Sequence, residues 1–356
     1  MDIYVKGFFY SNLGDDLFLH ILARRYKEHR FHVVINDEYN NSFADEENVV
    51  VHDYKKYHRG IDKLLVHIHM DYCSIVERMC ELNVIISGSI FQEGENDRMA
   101  MARLKMLPCH NRTYIIGVNF GPYVTKNYYS STKKYLQYAE DVCFRDEWSY
   151  NLFSDMKNVR VAPDIVFGAG KLVAKSDKSN KVVFVSLVDV KSKHNIAAYE
   201  KKYIQFIVDY VVKCAKEGYR IILSSFCKME GDETAVSTVL NELPKDVFKM
   251  TEPLFYNGRN WDELLKCIQM SEKVIATRFH SMILAMVYKV PVLPIVYNDK
   301  IRRFLDYIGK NEAGIAMAEL ENYQISEKDF VIVDNIDTLQ MSSEKQFEKL
   351  DTTLHI

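Results

Sequence analysis

No run of about 18 apolar residues occurs anywhere in the 356-residue sequence, which argues against a membrane-spanning helix. The opening Met1-Asp2-Ile3-Tyr4-Val5 also lacks the basic segment and long apolar core of a secretion signal. A cytoplasmic protein is therefore expected, with peripheral association at the inner membrane face left open. The seven cysteines are odd in number, form no C-x-x-C pair and share no zinc-like spacing with histidine. This pattern suits buried thiols in a reducing compartment. A large charge excess is missing as well: a formal net charge of -3 argues against a general nucleic-acid binder, so any basic site must be local. Repeats and low-complexity tracts do not occur. Neither do G-x-G-x-x-G, a Walker lysine loop, H-E-x-x-H or G-x-S-x-G. With no D-x-D either, metal-free chemistry is the simpler expectation.

What is present reads as two α/β domains. The chain exceeds the length at which one hydrophobic core stops growing, and its 48% hydrophobic and 27% charged residues are ordinary for a globular protein. Short β-branched runs at 2–6, 31–36, 48–52, 83–87, 113–118 and 141–144 alternate with helical periodicity at 15–27, 60–80, 95–107 and 131–139. The second half restarts with strands at 182–187, 219–224, 273–277 and 291–296. Helices are expected there at about 195–217, 232–242, 279–288 and 299–308. The polar stretch Lys175 to Asn180 has a linker's composition, so the boundary is expected there. The expected domains are 1–174 and 175–320, with 321–356 packing back on the first. The fold class is two doubly wound Rossmann-like domains facing a cleft, with ligands at the carboxyl ends of the strands.

Several strand-to-helix segments carry polar residues at that position. In Tyr10-Ser11-Asn12-Leu13-Gly14-Asp15, Asn12 or Asp15 caps a helix, or Asp15 orients a hydroxyl. Ser87-Gly88-Ser89 offers small residues whose backbone N–H groups admit an anion, and Ile116 to Pro122 is placed alike. Arg145 ends a strand and is suited to gripping a carboxylate or phosphate, whereas Asp146 and Ser149 read as caps. Asp164 is equally a turn former or an acid, and Asp232 reads mainly as an N-cap. The strongest segment is Thr277-Arg278-Phe279-His280, where an arginine and a histidine two apart precede an apolar helix whose N-terminus attracts anions. Lys300, in a later first turn, adds a third positive group or is merely solvated. Tyr10, Tyr123, Tyr128 and Tyr129 either stack on sugar faces or are ordinary loop tyrosines.

Taken in chain order, these segments resemble the polysaccharide pyruvyl transferase family, which adds ketal-linked pyruvate to cell-surface sugars. The resemblance runs from Asn12-Leu13-Gly14-Asp15 through Ser87-Gly88-Ser89, Gly117 to Pro122, Phe144-Arg145-Asp146, Ala162-Pro163-Asp164, Gly231-Asp232-Glu233 and Arg278-Phe279-His280 to Tyr297-Asn298-Asp299-Lys300. Two departures stand out: the family commonly has a glycine run at Ser87-Gly88-Ser89 and a leucine at Phe279. The resemblance implies a GT-B-like fold and phosphoenolpyruvate as co-substrate, without a further cofactor. Arg145, Arg278, Lys300 and Ser89 would hold the donor, His280 would act as general acid and Asp15 as base or orienter. Asn12 and Tyr10 fall on the side of a saccharide acceptor, lipid-linked or free. Two other readings stay open, a nucleotide-sugar glycosyltransferase and a non-catalytic glycan-binding subunit. Neither the acceptor sugar nor the oligomeric state is legible in the sequence.

Overall fold

The β-branched runs of the first half pair into a seven-stranded parallel sheet in the computed structural model, which describes residues 1–39, 41–65, 70–175 and 181–355. Its strands are β1 (Asp2–Lys6), β2 (Arg30–Asn36), β3 (Val49–Tyr54), β4 (Leu82–Ile86), β5 (Arg112–Val118), β6 (Asp141–Phe144) and β7 (Val159–Val161). Helices α1 (Leu13–Arg25), α2 (Lys56–Leu65), α3 (Tyr72–Arg78), α4 (Ala100–Lys105), α5 (Lys126–Leu136) and α6 (Glu147–Leu152) connect them. The spatial order β3-β2-β1-β4-β5-β6-β7 reverses between β1 and β4. Such a reversal opens a crevice at the carboxyl ends of the strands. Every residue of β4 and β6 is buried, as expected of strands covered by helices on both faces.

The second half forms a six-stranded parallel sheet from β8 (Val182–Ser186), β9 (Arg220–Ser225), β10 (Thr251–Phe255), β11 (Lys273–Ala276), β12 (Val292–Val296) and β13 (Ile315–Ala316). Helices α7 (Glu200–Lys216), α8 (Asp232–Glu242), α9 (Lys245–Phe248), α10 (Trp261–Met270), α11 (Phe279–Val287) and α12 (Asp299–Tyr307) accompany it, and α13 (Ile336–Ser343) and α14 (Glu348–Leu354) follow. The order β10-β9-β8-β11-β12-β13 reverses between β8 and β11. A core of α7 and α8 side chains, including Tyr203, Ile207, Val211 and Val236, covers one face.

The chain therefore belongs to the GT-B-like class with two doubly wound α/β units. The first unit comprises Met1–Tyr10, Asp15–Gly168 and Leu339–Ile356, the second Ser11–Gly14 and Ala169–Thr338. The change of unit falls at Gly168, earlier than the polar stretch, of which residues 176–180 lie outside the described residues. Residues 321–338 stay with the second unit, and 339–356 join the first.

All ten strands read from the sequence are present, each within two residues of its expected ends, and β7, β10 and β13 add to them. The expected helix at 60–80 is two helices, with 66–69 outside the described residues; α3 starts afresh because Asp71 accepts the Ser74 N–H at 2.7 Å. Helix α5 begins at Lys126, five residues early, where Thr125 caps it by accepting the Tyr128 N–H at 3.1 Å. None of the seven cysteines is in a disulfide. Among the described residues, no helix is long and apolar enough to cross a membrane.

One residue of the C-terminal segment closes the first sheet. Strand β5 shifts register between Ile116 and Val118, with Gly117 at φ +69°. This left-handed conformation favours glycine. The displaced Gly117 N–H donates to Gln346 Oε1 at 2.8 Å, while Gln346 Nε2 donates to the carbonyls of Ala162 at 2.7 Å and Pro163 at 3.1 Å. Gln346 is fully buried, and its Nε2 also reaches the Phe144 carbonyl of β6 at 3.3 Å, so one side chain satisfies backbone groups of β5, of β6 and of the segment after β7. Nearby, Arg25 grips Asp351 bidentately at 2.9 and 2.7 Å.

Candidate functional site

In the first unit, the polar residues read from the sequence converge at the carboxyl ends of neighbouring strands. Asp15, buried in the first turn of α1, accepts hydrogen bonds from Ser87 Oγ at 3.0 Å and the Gly88 N–H at 3.1 Å, so it ties the loops after β1 and β4 across the order reversal. Arg145 follows β6 with its side chain 2% exposed. Its Nη1 donates to Asp164 Oδ2 at 2.8 Å and its Nε to Asn119 Oδ1 at 3.2 Å. Ser89 Oγ donates to the same Asn119 oxygen at 3.2 Å. The guanidinium packs on Gly88 so closely that a Cβ there would stand 2.4 Å from Nη2.

Two expectations change here. Gly88 does not hold its N–H open for an anion, because Asp15 takes it. Arg145 is not a lone cation, because Asp164 pairs with it. Asp164 also forms the turn, since its Oδ1 accepts the Val166 N–H at 2.9 Å. Asp146 and Ser149 are a cap and its partner, at 2.8 Å. Of the tyrosines, Tyr128 is buried in the core around Phe120, and Tyr129 donates to the Leu152 carbonyl at 2.8 Å, so packing explains both. Tyr123 is half-buried beside the same core. Tyr10 is half-buried against Phe8.

The second unit places Arg278 directly after β11, beside the order reversal. Its backbone N–H donates to Ser186 Oγ, on the last residue of β8, at 3.4 Å. Its guanidinium is clamped. Nε donates to Asp232 Oδ2 at 2.7 Å, Nη2 donates to Asp232 Oδ1, and Nη1 donates to Glu230 Oε2 at 2.8 Å. At most two of its five N–H groups remain for a ligand. Lys193 Nζ reaches the same Glu230 oxygen at 2.8 Å, so two cations and two carboxylates balance. Burial alone would raise the Glu230 carboxyl, but Arg278 and Lys193 outweigh it and hold it at about 2. Burial lifts the Asp232 carboxyl above its ordinary value, against the pull of Arg278.

Asp232 is thus corrected from an N-cap to the partner of Arg278. The cap position of α8 is Gly231, and Asp232 also accepts the N–H groups of Phe226 at 3.1 Å and Cys227 at 3.0 Å. His280 is the second residue of α11 and is nearly buried. It lies over Gly14, where a Cβ would stand 1.6 Å from the ring Nδ1. The Gly14 segment is held in place by the Leu13 N–H donating to the Phe226 carbonyl at 3.0 Å, and Asn12 Oδ1 accepts the Gly14 N–H at 3.2 Å. Lys300 is not merely solvated: its Nζ sits 4.0 Å from the centroid of the Phe279 ring, a cation–π contact at the start of α11.

A model of the family described as "Polysaccharide pyruvyl transferase" matches residues 12–299, more than half of the chain. The chain belongs to the polysaccharide pyruvyl transferase family. Membership makes it a transferase of polysaccharide pyruvylation. No curated protein sequence matches it. Solved structures that resemble it include S. aureus MnaA with UDP (11% identity, TM-score 0.60, covering 99% of this chain and 96% of that one). UDP-GlcNAc 2-epimerase of Methanocaldococcus jannaschii with UDP-GlcNAc and UDP is alike at 12% identity and TM-score 0.57, covering 99% and 100%. Anabaena HepE with UDP and glucose follows at 9% and 0.57, covering 99% of both chains. At these identities the likeness is one of fold, and the family match alone bears on activity.

Proposed function

We propose that this family member moves the enolpyruvyl group of phosphoenolpyruvate onto a pair of hydroxyls of a polysaccharide-precursor sugar, forming a pyruvate ketal and releasing phosphate. The observation that carries the reading is the pairing of Arg278 with His280 at the N-terminal end of α11. Backbone N–H groups, the helix dipole and the nearby Lys300 all favour an anion there. A donor with a phosphate and a carboxylate suits this set. Clamping by Asp232 and Glu230 gives Arg278 a fixed geometry, and preorganised donors cost no rearrangement when charge develops.

In the proposed step, a sugar hydroxyl oxygen attacks the substituted carbon of the enol while the methylene carbon gains a proton. His280 supplies that proton, as imidazole is suited to general acid work near neutral pH. Phosphate leaves, and a second hydroxyl of the same sugar attacks the resulting centre to close the ketal. Atoms balance without an oxidant or cofactor. In the first unit, Arg145 and Ser89 are assigned to anion binding, Asp15 to orienting the diol and Tyr10 to the acceptor; Asn12, of the second unit, is assigned to the acceptor as well. Because phosphoenolpyruvate is made in the cytoplasm, the reading implies action there, on a free or lipid-linked acceptor.

The test is a thermal-shift comparison of phosphoenolpyruvate with UDP-sugars, followed by phosphate release with glycan acceptors. Stabilisation by phosphoenolpyruvate and loss of release in His280→Ala are expected. Stabilisation by UDP-sugars alone would favour a glycosyltransferase. Identical behaviour of the native protein and His280→Ala would favour a non-catalytic glycan-binding role.

A further inference from the structure

We infer that Phe8, Tyr10 and Tyr39 form a stacking platform for a pyranose ring lacking a carboxylate, which makes them the acceptor subsite of the first unit. The inference rests on the saccharide acceptor of the proposed reaction. The loop leaving β1 alternates in direction. Phe9 turns inward, 5% exposed, and meets Phe43 edge-on with ring centroids 5.4 Å apart. Its neighbours Phe8 and Tyr10 remain half-buried, with their rings 4.8 Å apart and tilted by 50°. Tyr39, on the short 3-10 turn Asp37–Tyr39 after β2, meets Tyr10 edge-on at 5.6 Å. Three partly exposed rings from two adjacent loops are thus mutually braced at the carboxyl ends of β1 and β2.

Loops at the carboxyl ends of such strands are where ligands bind. Aromatic rings suit the C–H faces of a sugar, because they offer broad apolar area while losing only two side-chain torsions, and the tyrosine hydroxyls add hydrogen bonds. Anchored by Phe9, the pair needs little ordering when a ring docks. Charge narrows the choice. Asp37 and Glu38, both exposed, lie on the same turn as Tyr39, so a uronic acid is repelled while a neutral or amino sugar is not. One such repulsion at about 4 Å in water is worth roughly a five-fold loss of affinity.

The experiment is saturation-transfer NMR on the full chain with methyl galactoside, methyl glucoside, glucosamine and methyl glucuronide as probes. Aromatic protons are irradiated, and affinities are measured in parallel for Tyr10→Leu, Tyr39→Leu and Tyr39→Phe. Transfer to the ring C–H face of at least one neutral or amino sugar is expected, with about ten-fold weaker binding in both leucine variants and near-native binding in Tyr39→Phe. Glucuronide should bind several-fold more weakly than its neutral counterpart. The inference is overturned if no probe receives saturation from the native protein, if the leucine variants bind as it does, or if glucuronide binds best. The phosphoenolpyruvate-induced thermal shift should be unchanged in all three variants. Its absence from the native protein would sink the proposed reaction while leaving the sugar measurement intact, so the two failures are separable.

Discussion

Replacing Gly14 with alanine tests whether His280 works from the position the fold assigns it. A Cβ at Gly14 would lie 1.6 Å from His280 Nδ1, 2.3 Å from Cε1 and 2.4 Å from Cγ, whereas ordinary contact begins at 3.4 Å. The imidazole must therefore withdraw by well over 1 Å, since Gly14 sits on backbone held by the Phe226 carbonyl. Overpacking of this kind costs about 1–3 kcal/mol. Alanine in place of glycine within a helix returns up to about 1 kcal/mol. The net loss of stability should thus be about 0–3 kcal/mol, leaving the protein folded. A misplacement of about 1 Å at a catalytic group can cost about 100-fold in rate. We expect phosphate release from phosphoenolpyruvate with a glycan acceptor to fall about 100-fold or more, with a melting temperature only a few degrees lower. Near-native turnover by Gly14→Ala, with the variant folded, would refute the assignment of His280 to the chemical step.

Three further outcomes follow from the polar networks. Gln346→Leu strands the Gly117 N–H and the Ala162 and Pro163 carbonyls; at about 1–3 kcal/mol for each buried group left unpaired, the urea midpoint should drop by the equivalent of at least about 3 kcal/mol. Asp232→Ala leaves the Arg278 guanidinium buried without its main partner and should cost about 3–5 kcal/mol in denaturant unfolding, more than Glu230→Ala, whose side chain is 32% exposed. Glu230 titrates near 2 in the folded protein against an ordinary 4.5, so its contribution is complete above pH 4.5 and fades as pH falls toward 2. The gap in urea midpoint between the native protein and Glu230→Gln should be widest near neutrality and narrow across that acid range; a gap that grew on acidification would contradict the depressed titration.

The central strands were legible because parallel strands buried on both faces need continuous apolar, β-branched runs, as in Val84-Ile85-Ile86 and Val182 to Val185. What escaped lies at the margins. β10 reads Thr251-Glu252-Pro253-Leu254-Phe255, and its proline demotes it in sequence, yet at a sheet edge the missing N–H is tolerated. β7 has three residues, too few for periodicity to register. The site was half legible. Position at strand ends singled out Asp15, Arg145, Arg278 and His280, but their partners lie far along the chain: Asp232 is 46 residues from Arg278, and Gln346 is 229 from Gly117. Asp232 reads as a cap because an aspartate before an apolar helix ordinarily is one. A burial partner 46 residues away leaves no local signal.

The route by which Gln346 and Asp351 return to the first sheet also dictates an order of assembly. During synthesis, β1 to β7 emerge first, yet their unit stays open until residues 339–356 have left the ribosome, after the whole second sheet has been made. For that interval the Gly117 N–H and the Arg25 guanidinium lack Gln346 and Asp351, their native partners. The nascent first unit is therefore the aggregation-exposed species, although it is the older part of the chain. Closing it joins Arg25 to Asp351 across 326 residues, a late and non-local event of the kind that slows folding. Supplying residues 339–356 as a separate peptide would be expected to rescue a chain ending at Thr338.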